Sequence, residues 1–264
     1  MSDALRAGLR ANWTQGDFGE VARFAQPAAD AFVERLALRP GERVADIACG
    51  TGNLAVPAAR AGARVSGIDI APNLIEAAAA RAAAEGLTIR FDEGDAERLP
   101  YDDASFDTVL SMFGVMFAPD QHRAAAELFR VCRPGGRIAL ASWTPDGFVG
   151  RMFALGARFV PPPAGVASPL RWGRAEDVAA LLHDAAELRF AEGRARFDLP
   201  FGPAQTVAFY RRCFGPTLRA FAALDAAGQA RYADALEELW REANIAPDGR
   251  TCVEAAYLEV IAIR

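Results

Sequence analysis

A glycine-rich turn preceded by an acidic residue is the part of the sequence best suited to chemistry. Asp46 lies near the end of the apolar run Arg43–Ala48, and Gly50 and Gly52 follow it. Two glycines allow a tight turn and let a ligand approach the backbone closely. The helix that begins after this turn would offer free N–H groups to a carboxylate or a phosphate. The sequence therefore predicts a small-ligand site where the first strand turns into the first helix.

Two further acids, Asp69 and Asp95, occur at the ends of the next two predicted strands. The carboxyl ends of parallel strands line one crevice, so these carboxylates should lie close to Asp46. One acid can bind ribose hydroxyls, another can accept from an exocyclic amine, and a third can orient an ammonium group. A cationic ligand with one ribose, an adenine and an amino acid fits this set better than an anionic dinucleotide does. For Asp95 alone, the alternative is that it caps the turn that follows it.

The same glycine turn is also compatible with a nicotinamide dinucleotide. The run Gly50–Ala55 fits a relaxed dinucleotide fingerprint, and Asp69 lies at about the spacing of a ribose-binding acid. A nicotinamide-dependent oxidoreductase explains neither Asp95 nor the later turn Arg133–Gly136. The chain also contains no lysine, which excludes the Tyr-x-x-x-Lys pair of short-chain dehydrogenases.

The elements that must position these residues alternate between short apolar runs and helical stretches from Gly41 to about Trp143. Such runs are typical of a parallel sheet covered on both faces, and right-handed crossovers between them build a doubly wound α/β sheet. Five strands are predicted, at Arg43–Ala48, Arg64–Ile70, Thr88–Asp92, Phe106–Ser111 and Gly136–Trp143. The predicted helices between them are Asn53–Ala61, Pro72–Glu85 and Asp120–Cys132.

The segments on either side of this core are predicted to be largely helical. In the N-terminal segment a loop, Asn12–Phe18, carries two aromatic residues. After the fifth strand we predict a helix, a strand or hairpin, two longer helices and a final strand, at Arg174–His183, Glu187–Leu199, about Ala204–Leu224, Ala227–Ala243 and Cys252–Ile263. We expect a single domain in which residues 1–38 form a helical lid, residues 39–145 the cofactor-binding core, and residues 146–264 the substrate-side helices and terminal strands.

Five stretches together resemble the class I S-adenosylmethionine (SAM)-dependent methyltransferases, especially the small-molecule branch that includes ubiquinone and menaquinone biosynthesis enzymes. These stretches are Val44–Asn53, Val65–Ile70, Glu93–Pro100, Ser105–Asp107 and Glu127–Gly136. They occur in the family's order within residues 40–145. The resemblance implies a Rossmann-like methyltransferase fold with a helical N-terminal lid and a helical insertion before the last strand. It also implies SAM as cofactor and methyl transfer by in-line displacement.

The resemblance further implies roles for individual residues. The glycine turn and its acid would hold the methionine moiety, and Asp69 would bind the ribose hydroxyls. Ile70 would lie against the adenine, Asp95 would accept from its amine, and Ala96 would offer a backbone N–H. Ser111 would face the methionine amino group through its backbone. The complete predicted cofactor-binding set is Asp46, Ala48, Gly50, Gly52, Asn53, Asp69, Ile70, Asn73, Gly94, Asp95, Ala96 and Ser111.

Large apolar residues are predicted to form the acceptor side of the site. Phe113, Met116 and Phe117 follow the fourth strand and should face the sulfonium. Trp13 and Phe18 precede the sheet and could close over the ligand as a lid. The alternative for each of them is ordinary core packing. Many relatives carry a histidine after the fourth strand, where Met116 and Phe117 stand here, so no catalytic residue is assigned.

Composition narrows the partners and the location. The net charge of −5 provides no basic field for a nucleic acid backbone. Four scattered cysteines and two histidines form no pattern typical of a metal site. The N-terminal residues do not resemble a signal peptide, and no apolar run reaches the length of a membrane span. We therefore expect a cytoplasmic enzyme that acts on a small, fairly apolar acceptor, with a homodimer as its candidate assembly. A non-catalytic SAM-binding regulatory module is the alternative.

Overall fold

One seven-stranded sheet organises the part of the chain that the structure describes. The computed structural model covers residues 3–163 and 165–264, with side chains from residue 7 onward. In chain order the strands are β1 (Arg43–Ile47), β2 (Arg64–Asp69), β3 (Arg90–Glu93), β4 (Phe106–Met112), β5 (Cys132–Trp143), β6 (Glu187–Leu199) and β7 (Thr251–Ile263). Their order across the sheet is β3-β2-β1-β4-β5-β7-β6, and β7 runs antiparallel to both of its neighbours. The predicted doubly wound, mostly parallel α/β sheet is confirmed.

The chain changes direction across the sheet at β1. It first adds β2 and β3 on one side of β1, and then returns to add β4 and β5 on the other side. Beyond the carboxyl ends of β1 and β4 this reversal leaves a crevice, the usual place for a ligand in such sheets. The register places Asp46 opposite Gly67 of β2 and Leu110 of β4. The predicted acids of β1 and β2 therefore project from neighbouring strands towards the same edge.

Burial on both faces explains why the core strands could be recognised from apolar runs. Four of the five β1 residues are buried, and β4 is nearly as enclosed. The predicted strand Gly136–Trp143 begins earlier, at Cys132, because Cys132 pairs with Phe106 across an irregularity in the β4–β5 register.

Eleven helices surround the described part of the sheet. They are α1 (Asp3–Thr14), α2 (Phe18–Ala22), α3 (Gln26–Leu36), α4 (Ala55–Arg60), α5 (Pro72–Ala84), α6 (Gln121–Val131), α7 (Phe148–Phe159), α8 (Ala175–Leu181), α9 (Pro203–Cys213), α10 (Gly215–Ala222) and α11 (Ala226–Ala243). Asp120 caps α6 as expected, because its Oδ1 accepts from the backbone N–H of Arg123 at 3.0 Å. Among these described helices, none combines the length and the apolar character that a membrane crossing requires.

The predicted loop Asn12–Phe18 is wrong at both of its ends. Residues 12–14 complete α1 and Phe18 begins α2, which leaves only residues 15–17 as the connection. The helix is extended by a contact from far along the chain: α1 packs so closely on α10 that a Cβ at Gly215 would lie 1.6 Å from the Asn12 carbonyl oxygen. The division of the chain at residues 38 and 145 stays a prediction.

The C-terminal half differs from the prediction in two places, and in a third the structure decides between two predicted alternatives. The helix predicted over Ala204–Leu224 is two helices, because Phe214 is extended and Pro216 has no N–H to continue α9. The segment Glu187–Leu199 is one strand paired with β7 along its whole length, and not a hairpin. Helix α7 was not predicted, since two glycines within it weaken the helical pattern. The helical insertion before the last strand, α9–α11, is present as expected.

Candidate active site

A cavity of about 870 Å³, mouth included, lies beyond the carboxyl ends of β1 to β4. Its size is typical of a pocket for a small ligand or cofactor. The ends of these four strands and the segments that follow them form one part of the lining, and the N-terminal helices form the other. The residues from the strand turns are Ala48, Cys49, Gly50, Thr51, Asn53, Asp69, Ile70, Leu74, Gly94, Asp95, Ala96, Met112, Phe113, Gly114, Val115, Phe117 and Ala118. The N-terminal residues are Leu9, Trp13, Phe18, Ala22 and Ala25.

The glycine turn has a backbone that only a few residue types adopt without strain. Gly50 and Gly52 have φ values of 53° and 80°, and Ala48 has a φ of 55° without being glycine. The Gly50 N–H donates to Asp69 Oδ2 at 2.8 Å, which ties the turn after β1 to the end of β2. Strained backbone of this kind persists where the surroundings enforce it, often at binding sites. The turn is therefore held in one shape by its neighbours.

Asp46 is a buried carboxylate at the start of α4. Asp46 is only 1% exposed, and its Oδ2 accepts from the Ala55 N–H at 2.9 Å. Burial raises the pKa of Asp46 to about 8, and the nearby charge of Asp69 adds to the effect. Asp46 lines a smaller recess that shares Ala48 and Asn53 with the main cavity.

Asp69 faces the main cavity with both carboxylate oxygens engaged by the backbone. Oδ1 accepts from the Ala71 N–H at 2.9 Å, and Oδ2 from Gly50 as described. Burial raises the pKa of Asp69, and these backbone donors partly oppose the increase. Within the described part of the chain, no cationic side chain forms an ion pair with Asp46 or Asp69. The two acids thus make a buried, acidic site suited to a cationic ligand.

Asp95 lies in the turn after β3 and serves two purposes. It lines the cavity, as predicted. Its Oδ1 also accepts from the Glu97 N–H at 2.9 Å, so it caps the following turn as well. Glu97 in turn is buried, and its Oε1 accepts from the Asp120 N–H at 2.7 Å. This chain of contacts fixes the β3 turn against the segment that follows β4.

Aromatic rings from the N-terminal helices and from the segment after β4 line part of the cavity. Trp13 meets Phe18 and Phe117 edge to face, with ring centroids 5.2 and 4.9 Å apart, and Phe214 stands behind it at 6.1 Å. On the sheet side Phe113, with a φ of 56°, stacks on Trp143 at 3.5 Å. This part of the cavity is apolar, and its role as the acceptor side stays a prediction.

The structure brings most of the predicted residues to the cavity or its recess. Those are Asp46, Ala48, Gly50, Asn53, Asp69, Ile70, Gly94, Asp95, Ala96, Trp13, Phe18, Phe113 and Phe117. Four others are placed elsewhere. Gly52 packs against α5, and Met116 is 1% exposed in the core. Ser111 Oγ donates to the Ile47 carbonyl at 2.6 Å and accepts from Val115 N–H at 2.9 Å, and Asn73 Oδ1 is buried without a partner among the described atoms.

Several lining residues were not predicted. Cys49, Thr51 and Gly114 lie beside predicted residues in sequence, and that proximity is the signal that could have identified them. Leu9 and Ala25 carry no such signal, because only the packing of the N-terminal helices brings them to the cavity. Neither histidine is among the residues that line the described cavity, and both are exposed.

Comparisons with known proteins agree with this geometry. The sequence profile of a family described as "Methyltransferase domain" matches residues 44–136, from β1 to the start of β5. An uncharacterised protein of Mycobacterium tuberculosis (strain H37Rv) is 42% identical over 222 residues, which is 83% of this chain and 81% of that protein. A demethylmenaquinone methyltransferase of Deinococcus radiodurans is 42% identical over 139 residues, 51% of this chain and 57% of the enzyme. The crystal structure of the YcgJ protein from Bacillus subtilis superimposes with a TM-score of 0.60 at 20% identity, over 89% of this chain and 97% of that one, and shows the same fold.

Proposed function

This chain belongs to the class I SAM-dependent methyltransferases, and we propose that it transfers the methyl group of SAM to a small, fairly apolar acceptor by in-line displacement. The aromatic residues Trp13, Phe18 and Phe117 carry the acceptor part of this proposal, because they pack edge to face and give the cavity an apolar lining. The name of the Deinococcus relative, a demethylmenaquinone methyltransferase, is in keeping with an apolar acceptor. The comparisons give no support to the alternatives, a nicotinamide-dependent oxidoreductase or a non-catalytic module.

The donor set of the cavity fits SAM. Two buried acids, Asp46 and Asp69, favour a ligand that carries positive charge. We assign Asp46 and the Gly50 turn to the methionine moiety, Asp69 to the ribose hydroxyls, and the Asp95 turn to the adenine. Burial of the site excludes water and strengthens each of these contacts.

The chain's contribution to the reaction is alignment. When SAM is bound, its sulfonium supplies an electrophilic methyl group on a good leaving group. Holding an acceptor in line with that methyl group replaces a bimolecular encounter with a positioned one. Among the described lining residues, the titratable side chains are those of Asp69, Asp95 and Cys49, and we assign all three to the cofactor side. Burial raises the pKa of Cys49, which keeps its thiol protonated. We therefore infer that the acceptor brings an atom that is already nucleophilic at neutral pH.

A labelled-transfer experiment tests the proposal. The purified chain is incubated with methyl-labelled SAM and matched acceptors: reduced naphthoquinols with alkyl chains, whose ring carbons are nucleophilic, and their charged, sulfonated analogues. We expect label in the alkylated acceptors and at most a small fraction of it in the sulfonated ones. Transfer confined to charged acceptors would refute the apolar assignment. Calorimetry with SAM, S-adenosylhomocysteine (SAH) and NAD on the same sample establishes cofactor binding independently.

We also propose that the enzyme works in the cytoplasm and forms a homodimer, as predicted from the sequence. The four cysteines are unpaired and buried, which suits a reducing compartment. Light scattering coupled to gel filtration tests the assembly, for which a mass of twice 28.2 kDa is expected.

A further inference from the structure

A partly buried arginine outside the cavity connects the glycine turn to the N-terminal helices. Arg81, on α5, donates from Nη1 to Asn53 Oδ1 at 2.9 Å and to the Thr51 carbonyl at 3.4 Å. Its Nη2 donates to Gln26 Oε1 at 2.8 Å, at the start of α3. One guanidinium therefore bridges two segments that are far apart in the chain. Burial lowers the pKa of Arg81, a cost that its acceptors offset.

Gln26 and Asn53, whose side chains accept from Arg81, are also bonded to each other. Gln26 Nε2 donates to the Asn53 carbonyl at 3.1 Å and to Asp30 Oδ1 at 2.7 Å. Asn53 Nδ2 donates to the Ala22 carbonyl at 2.9 Å. Together with Arg81 these residues form a closed network, the Arg81 network, in which each side chain has its orientation fixed by at least two bonds.

This network holds cavity residues from behind. Thr51 and Asn53 line the cavity from the glycine turn, and Ala22 and Ala25 line it from the N-terminal helices, whereas Arg81 itself does not line it. Arg81 thus joins these two parts of the lining at the place where they meet. Residues 7–26 form what we call the N-terminal cover, and residues 22–26 are its base.

At α1, the other end of the cover, the polar contacts lie at the surface. Arg10 pairs with Glu93 at 2.7 Å, but both side chains are more than two-fifths exposed. Arg219 donates to the Gly8 carbonyl at 2.7 Å, also at the surface. Exposed pairs of this kind contribute little and open readily. The base of the cover is therefore held by partly buried side-chain hydrogen bonds, whereas α1 is held by its packing on α10 and by exposed polar contacts.

We propose that Arg81 is a positioning residue that fixes the base of the N-terminal cover to the glycine turn and thereby slows the loss of bound cofactor. The inference rests on the proposed cofactor site. Without the network, the glycine turn and the base of the cover would lose bonds that join them where they meet, and both would relax in the free protein. The cofactor would then have to order them on binding, and would leave faster.

The test compares SAH dissociation rates of single and double variants. Arg81→Met keeps the stem of the side chain and removes every donor, and Gln26→Leu removes the other partner. We expect Arg81→Met to dissociate SAH at least tenfold faster, Gln26→Leu several-fold faster, and the double variant no faster than Arg81→Met. Arg81→Lys, which retains the charge but not the fork, should recover part of the loss. Arg60→Met is the matched control, because Arg60 is an exposed arginine on α4 that pairs with Glu85.

A structural role alone predicts a different result. If Arg81→Met lowers the melting temperature but leaves the SAH dissociation rate at the wild-type value, the proposal is overturned. Additive effects of Arg81→Met and Gln26→Leu would also overturn it, because Arg81 would then not act through Gln26. If Arg81→Met does not fold, Arg81→Lys and Gln26→Leu decide by the same criteria. Wild-type protein that binds no SAH would instead refute the cofactor site on which the inference rests.

Discussion

At the scale of single residues, the site is defined by two carboxylates that the fold keeps away from water. The positions of Asp46 and Asp69 could be predicted, because acids at the ends of parallel strands meet in one crevice. Their environment could not be predicted, since burial depends on α4, on the N-terminal helices and on the turn after β4. An unpaired buried acid is costly to the free protein and becomes favourable once a cation is present.

Asp69 should be required for cofactor affinity. We expect Asp69→Ala to raise the SAM dissociation constant by roughly tenfold or more, because charge-assisted hydrogen bonds to two ribose hydroxyls contribute about 1.5–3 kcal/mol each. The substitution also leaves the Gly50 and Ala71 N–H groups without their acceptor. Calorimetry should therefore be accompanied by a melting curve. An unchanged affinity in folded protein would show that Asp69 does not bind the ribose.

Asp46 should make cofactor binding depend on pH. Its pKa is raised to about 8 in the free protein, so near pH 7 it holds a proton that a cationic ligand would displace. We expect SAM affinity to rise between pH 6 and 7.5, by up to about tenfold per pH unit for one released proton. Calorimetry in buffers of different ionisation enthalpy counts that proton.

The matched control for this prediction is Asp46→Asn, which keeps an acceptor for Ala55 and cannot titrate. Its SAM affinity should be weaker and nearly independent of pH.

The unfolding free energy of the free protein should change with pH in the opposite direction to SAM affinity. The unfolded chain releases the Asp46 proton near the ordinary value of 3.8, and the folded chain retains it to about 8. The free wild-type protein should thus lose up to about 1.4 kcal/mol of unfolding free energy per pH unit within that range. If wild type and Asp46→Asn showed the same change of unfolding free energy with pH, the raised pKa of Asp46 would be contradicted.

At the scale of elements, the local sequence pattern was enough to predict those strands and helices that are buried by their neighbours in sequence. The strands β1 to β5 and the helices α5 and α6 agree with the prediction to within a few residues, because apolar runs, Pro72 and Asp120 mark them directly. Prediction was poorer where distant parts of the chain decide. The end of α1 depends on α10, and the break between α9 and α10 places Phe214 against Trp13.

The aromatic residues of α1 should affect turnover more than cofactor affinity. Trp13 contacts three other rings, of which Phe18 and Phe117 line the cavity and Phe214 lies behind it. Once an acceptor is identified, we expect Trp13→Ala to reduce kcat/KM for it at least tenfold while changing the SAM dissociation constant less than threefold. Phe24→Ala is the control, since Phe24 lies on the same segment but packs on Phe209 outside the cavity. Equal losses in both variants would indicate a general packing defect.

At the scale of the whole molecule, the two halves of the cavity are built in different ways. The cofactor side consists of turns between parallel strands, and that regularity is why the family motifs reveal it. The side that we propose for the acceptor is assembled from α1, α2 and the segment after β4, with α9 and α10 packed behind them. These elements are brought together only by folding, so their sequence contains no motif for the contact. Substrate choice can therefore change along the family while the cofactor side stays constant.

The cover and the late helices should open as one unit. An acceptor can enter only if part of the wall moves, and the central strands cannot supply that motion because they are paired on both sides. Helix α1 has the exposed attachments, but Phe214 at the α9–α10 junction packs on both Trp13 and Phe18. Opening α1 must therefore disturb α10 as well.

In hydrogen exchange of the free protein, we expect the amides of α1 and α10 to exchange much faster than those of β1 and β4. Both helices should become protected together when SAH and an acceptor are bound. The base of the cover, held by the Arg81 network, should change less than α1. Protection of α1 and α10 equal to that of the central strands in the free protein would show that these aromatics belong to a static core, and that the entrance to the cavity lies elsewhere.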